Sequence, residues 1–228
     1  GLALMIEGLG LSVSSETPVV VLDVQRGGPS TGIPTKSEQS DLNIALYGLH
    51  GDAPHLVVAP QSIADCLFTT QWAVHLAEAT QAPCLVLSDQ SLGQSRAIVD
   101  VPAASDVTAR RLVAQTPAEG EGDIAVITWG SCSGAARVAV VRARGVGVGA
   151  RLVAPRLLFP TRPEAMEKAL SGVRRILIVE QSHLGQFGRY VRGEYDLPVK
   201  PDLLHRPGPL PIRPGEIHAR LLSMGTAR

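Results

Sequence analysis

The chain has 228 residues, 45% hydrophobic and 18% charged, with a net charge of zero. That composition excludes a disordered chain, and the length gives one large or two small domains. Balanced charge argues against a phosphate-backbone partner, and no apolar run nears the roughly 20 residues of a membrane span. Three scattered cysteines, Cys66, Cys84 and Cys132, without a CxxC, fit a reducing cytoplasm. They argue against a disulfide scaffold and against a structural zinc or iron–sulfur site held by this chain alone.

Leu2–Val13 places Leu2, Leu4, Met5, Ile6, Leu9 and Leu11 at helical spacing, weakened by three glycines. No Lys or Arg precedes it, so it is not a signal peptide. It opens mid-pattern without a start Met, and the expectation is a fragment of something longer. Val19–Val24 is a continuous apolar run and predicts a strand covered on both faces. After a loop, Ser37, Ser40 and Asp41 offer caps for a helix to about Leu49, which HGDAP at 50–54 breaks. His55–Ala59 predicts a second strand. Ser62-x-x-Asp65 resembles a capping box for a helix to about Thr80, with Ile63, Cys66, Leu67, Thr70, Ala73, Val74 and Ala77 on one face. Pro83–Ser88 predicts a third strand, which completes a parallel α/β unit.

Asp89–Gly122 lacks periodicity and reads as an interdomain linker wrapping a neighbour. Strands are then expected at 123–128, 149–154, 174–180 and 199–204. Helices are expected at 131–144, 163–170, 184–196 and 214–222, the last with Pro at its first position. The fold class is therefore α/β with two parallel-sheet domains: 1–90, a linker at 91–122, and 123–228.

The chemistry concentrates in Asp23–Asp41, DVQRGGPSTGIPTKSEQSD. It follows a buried-type strand, where open α/β sheets bind ligands. Arg26 offers a planar fork of donors that matches a carboxylate bidentately. Gly27 and Gly28 allow close approach of a ligand to the backbone, and Ser30, Thr31 and Thr35 add hydroxyls. An anion pocket is one reading; an Arg tied to Asp23 or a neighbouring acid in an ordinary tight loop is the other.

This stretch, followed by ALYGLHGDAP, resembles the α subunit of the 2-oxoacid:ferredoxin oxidoreductases, most closely the 2-oxoglutarate type. The resemblance continues through ITWGS (127–131), LLFP (157–160) and VEQSHLGQFGRYVR (179–192). It implies the end of a pyrimidine-type domain of a thiamine-diphosphate enzyme, followed by a transketolase-C-terminal-like domain. It implies CoA-dependent oxidative decarboxylation of a 2-oxoacid, with electrons passed to ferredoxin. Arg26 would bind the substrate carboxylate, with Thr31 and Thr35 at the pocket and Ser30 and Gly28 as weaker carry-overs. No catalytic residue is carried over. Glu7 does not match the family's thiamine-binding Glu, which is expected upstream. Thiamine diphosphate, Mg2+ and the iron–sulfur cluster would be held mainly by a partner β subunit, since no GDG…N pattern occurs in this chain.

Other candidates read mainly as structure. GVGVGA at 145–150 precedes a strand, so it is no dinucleotide fingerprint. Thr128–Ser131 follows a strand and opens a helix: an anion site, or a tight turn capped by Ser131. His50 with Asp52 reads as a turn, His183 and His205 as ordinary histidines, Cys66 as core, and Arg174 and Arg175 as a solvated edge. Cys132 at a helix start leaves a lowered thiol pKa open. A non-catalytic assembly module remains the competing function. The two differ in whether Arg26 and Thr35 converge on one exposed cavity. An NAD(P)-binding enzyme is disfavoured by the missing fingerprint.

Overall fold

The continuous apolar runs become buried strands of two sheets in a computed structural model that describes residues 1–30, 32–100 and 118–226. A 3-10 turn at Leu2–Met5 leads into α1 (Ile6–Ser14). The first sheet contains β1 (Val20–Gln25), β2 (Leu56–Val58) and β3 (Cys84–Asp89), all parallel, in the order β1-β3-β2. Between them run α2 (Leu42–Tyr47) and α3 (Ile63–Thr80), and α4 (Gln90–Gln94) follows β3.

The second sheet has β4 (Ala118–Glu119), β5 (Ile124–Ile127), β6 (Ala150–Val153), β8 (Arg175–Glu180) and β9 (Asp202–His205), ordered β4-β6-β5-β8-β9. Only β4 runs antiparallel, against β6. Its helices are α5 (Cys132–Gly145), α6 (Pro163–Leu170), α7 (Gln186–Glu194) and α8 (Pro214–Thr226). The remaining strand, β7 (Leu157–Phe159), lies in the second half of the sequence but pairs antiparallel with β2 of the first sheet. The mostly parallel α/β architecture agrees with the expectation.

Four expectations are corrected. β1 is an edge strand among the described residues, and on one of its faces Leu22 is 57% exposed and Val24 46%. It is not covered on both faces within this chain. The linker 91–122 has structured flanks, in α4 and β4; residues 101–117 lie outside the described residues. The buried face of α3 is Thr69, Trp72, Ala73, Leu76 and Ala77, while Leu67 and Val74 are exposed. Apolar residues surround this helix, so periodicity did not select a face. The largest side chain, Trp72, does: it packs inward and stacks on Phe68 at 6.1 Å. The fourth correction is the capping of α2, described below.

One buried cluster joins the two sheets. Val57, Leu85 and Leu87 of the first sheet and Ala125, Ile127 and Ile178 of the second share it with Trp129, Phe187 and Tyr190. The carboxyl ends of β1, β3, β5 and β8 meet beside that cluster, and the loop carrying Arg26 lies there.

Candidate functional site

The loop begins where β1 ends. Gln25 is almost wholly buried. Its amide donates to the Ser88 carbonyl at 3.0 Å, and its oxygen accepts from the Asp41 N–H at 3.1 Å. One side chain thus ties the start of the loop to β3 and to the loop's own far end. Inside, the Gly27 N–H donates to the Lys36 carbonyl (2.9 Å), the Ile33 N–H to Gly27 (2.8 Å) and the Gly32 N–H to Pro29 (2.9 Å). Gly32 has φ +33°, and a Cβ there would stand 2.1 Å from the Gly27 oxygen. Glycine is required at that position. Gly28, by contrast, has open space around it.

Arg26 is half-buried, and its Nη2 donates to the Ser30 carbonyl at 3.3 Å. The fold therefore brings Arg26 and Ser30 together through the backbone of Ser30. Gly28, Ser30 and Thr35 are exposed on the same closed loop. Thr31 lies outside the described residues. An apolar cleft of about 480 Å³, lined by Leu2, Met5, Leu9, Val21 and Asp23 among others, sits against β1. Arg26 and Thr35 do not line it.

Asp41 lies in the field of the arginine, and Asp23 and Glu38 in turn lie in the field of Asp41. Burial, then the Asp41 charge, push Asp23 up to about 6. Its Oδ2 is buried without a hydrogen-bond partner. Burial and Asp41 raise Glu38, opposed by His183. Burial raises Asp41, opposed by the Arg26 charge. A proton on Asp23 is held more tightly in the folded chain than at its ordinary value of 3.8. Its contribution to stability is therefore complete below 3.8 and is lost as pH rises through about 6. Asp23→Asn should flatten that fall and stabilise the chain at pH 8 by about 1 kcal/mol, a value discounted for partial solvent screening. Thermal melts at pH 5 and 8 check it; parallel pH dependence in the two proteins would refute it.

The far half of the loop is held by the second sheet. The Gln39 N–H donates to the Gln181 carbonyl (2.7 Å), and the Gln39 side-chain oxygen accepts from the Gln181 N–H (2.9 Å). Gln39 Nε2 donates to the Trp129 carbonyl at 3.0 Å, and Gln181 Nε2 to the Ser37 carbonyl at 3.1 Å. Asp41, expected to cap α2, makes no side-chain cap bond. Instead Gln186, the first residue of α7, accepts from the Asn43 N–H at 2.9 Å and donates to the Ser40 carbonyl at 2.8 Å. The helix is capped in trans. Glu180 in turn accepts from the N–H groups of Phe187 (2.9 Å) and Gly188 (2.7 Å) and from the Ser182 hydroxyl (2.7 Å), which caps α7 itself. The stretch VEQSHLGQ thus serves as a clamp on the Arg26 loop. Sequence reading singled it out as a resemblance but missed Gln39, Glu180, Gln181 and Gln186 as positioning groups. The available signal was a glutamine-rich pair of segments, EQ at 38–39 and EQ at 180–181.

The remaining candidates resolve as structure. Ser131 does not cap α5; its hydroxyl donates to Asp89, the chain's own carboxylate at that end of the helix. Cys132 donates to the Gln39 oxygen at 3.3 Å, and burial pushes its thiol up to about 12. The helix start does not activate it. Cys66 is only partly buried and donates to the Ser62 carbonyl. His50–Asp52 is a turn with Gly51 at φ +69°. His183 and His205 are exposed.

Comparison with known proteins places these features in a family context. Residues 1–136 match the model described as pyruvate flavodoxin/ferredoxin oxidoreductase, thiamine diphosphate-binding. Residues 122–199 match pyruvate:ferredoxin oxidoreductase core domain II. The 2-oxoglutarate oxidoreductase subunit KorA of Mycobacterium tuberculosis is 52% identical over 92 residues, 40% of this chain and 14% of that protein. A structure of 2-oxoglutarate:ferredoxin oxidoreductase from Magnetococcus marinus, with 2-oxoglutarate, coenzyme A and succinyl-CoA bound, superposes with a TM-score of 0.83. It is 30% identical and covers 97% of this chain and 51% of that one. A transketolase from Pichia stipitis superposes with a TM-score of 0.60 at 16% identity, covering 97% of this chain and 32% of that one, a likeness of fold alone. The chain spans about half the length, or less, of these relatives.

Proposed function

This chain belongs to the pyruvate flavodoxin/ferredoxin oxidoreductase family, and we propose that it is part of the α subunit of a CoA-dependent 2-oxoacid:ferredoxin oxidoreductase acting on 2-oxoglutarate. The observation that carries the reading is the closed loop at the carboxyl end of β1. It presents the half-buried Arg26 beside exposed Ser30 and Thr35, on a loop braced by both sheets. The guanidinium would take the 2-oxoacid carboxylate bidentately, as a charge-assisted pair, with Thr31, Thr35, Ser30 and Gly28 around it. The choice of 2-oxoglutarate is supported by the ligands in the Magnetococcus relative.

The reaction converts 2-oxoacid, coenzyme A and two oxidised ferredoxins into acyl-CoA, carbon dioxide, two reduced ferredoxins and a proton. Thiamine diphosphate supplies the electron sink for decarboxylation when bound. Among the described residues, no three His, Cys, Asp or Glu groups stand close enough to hold a metal ion. The described residues thus do not fit the diphosphate–Mg2+ end of the cofactor or an iron–sulfur cluster. The reading assigns these groups to the β subunit, and ferredoxin is the electron acceptor. No helix among the described residues is long and apolar enough to cross a membrane.

The test is viologen reduction by the chain's full-length form, assembled with its partner subunit and loaded with clusters. Turnover with 2-oxoglutarate over pyruvate, dependent on coenzyme A, thiamine diphosphate and both chains, is expected. An assembled, loaded complex without turnover would favour the assembly-module reading instead.

A further inference from the structure

We propose that Gln186 and Gln39 are positioning residues, through which the second sheet sets the geometry of the Arg26 loop. The inference rests on the reading that Arg26 receives the substrate carboxylate.

The loop has two differently anchored ends. Arg26 follows directly on β1 of the first sheet. Residues 37–43 are bonded to the second sheet and α7: Ser37 by Gln181, Gln39 by Gln181 and Trp129, Ser40 and Asn43 by Gln186. The ends are coupled, because the Lys36 carbonyl accepts from the Gly27 N–H beside Arg26. A displacement of the clamp is therefore delivered to the residue next to the guanidinium. The trans cap also leaves the Asp41 side chain without a capping bond, and Asp41 stands in the field of Arg26.

The polar chemistry, rather than volume, is what the clamp uses. Gln186 is 9% exposed and Gln39 fully buried. An apolar side chain of equal size would fill the same space. Both amides are directed instead at backbone groups of the loop and of the strand ends it must follow. Misplacement of a substrate-binding group by even a fraction of an ångström weakens binding sharply.

The test uses the assembled enzyme with 2-oxoglutarate and coenzyme A. Gln186→Met keeps the volume and removes both bonds. It should raise the KM for the 2-oxoacid about 5- to 30-fold, the effect of two neutral hydrogen bonds, with the KM for coenzyme A unchanged within about twofold. Arg26→Lys with Gln186→Met should be no worse than Arg26→Lys alone, because the group being positioned is already lost. Full additivity, or an equal change in both KM values, would overturn the inference. Gln186→Glu retains the acceptor for Asn43 but turns a carboxylate oxygen on the Ser40 carbonyl, so a rise at least as large, still non-additive, is expected. Should Gln186→Met fail to assemble, Gln186→Glu carries the same cycle to the same two outcomes. An Arg26→Lys enzyme with unchanged KM would instead remove the underlying carboxylate reading. An Arg26→Lys defect that simply adds to the Gln186 defect would remove only the clamp.

Discussion

Arg26→Lys in the assembled enzyme should raise the KM for the 2-oxoacid by about 10- to 150-fold, the worth of one lost charge-assisted hydrogen bond at about 1.5–3 kcal/mol. The charge is kept, so the loss isolates geometry. A guanidinium meets both carboxylate oxygens with parallel N–H groups, whereas an ammonium meets them as a point charge on a flexible stem. Lysine also lacks the second nitrogen that lets Arg26 hold the Ser30 carbonyl while addressing a ligand. A neighbouring acid sharpens the expectation. Asp41 stands in the field of Arg26, so a cation held less squarely against the substrate carboxylate offsets less of that acid's repulsion. The KM for coenzyme A should be unaffected, because the proposed partner of this side chain is the carboxylate end of the 2-oxoacid alone. Steady-state kinetics with each substrate varied separately is the measurement; an unchanged 2-oxoacid KM would rule out the carboxylate role.

Glu180→Gln should lower stability by about 3 kcal/mol, from one buried donor left unsatisfied and the lost charge at a helix start. That corresponds to a melting temperature lower by about 6–12 °C for a chain of this size. Glu180 is 1% exposed and accepts three hydrogen bonds, from Ser182, Phe187 and Gly188. Gly185, at the N-cap of α7, has no side chain to supply a cap. A glutamine placed there must turn its NH2 toward one of those donors. Removing a buried charge normally returns some energy, but here three donors already solvate it. Phe187 is fully buried against Trp129 and Tyr190, so the start of α7 cannot swing out to find water. Since Gln186 opens the same helix, the 2-oxoacid KM should rise as well. Calorimetry on the chain and kinetics on the assembled enzyme check the two effects; an unaltered melting temperature would mean that the cap is dispensable.

The strands that were legible share one property: a continuous apolar run long enough to be buried whatever its neighbours. Ile124–Ile127 and Arg175–Glu180 are of this kind, and five of the six residues of β8 are buried. Helix α8 was legible from Pro214 at its first position. In the candidate site, the loop's position was legible because it follows directly on a strand, β1. Gly32 was not singled out; its necessity depends on the Gly27 carbonyl five residues earlier, a contact that composition does not reveal.

The sequence by itself determined the α/β class, the parallel strands and the place of the Arg26 loop, because those follow from local burial and backbone preference. Tertiary structure decided what needed a distant partner. Leu157–Phe159 became a strand only by pairing with β2. β1 stayed open on one side because no further strand pairs beyond it among the described residues. The cap of α2 passed from Asp41 to Gln186, more than 140 residues away. Hydrogen bonds of that span leave no periodic trace in the chain, since either partner alone is only a buried polar side chain seeking satisfaction.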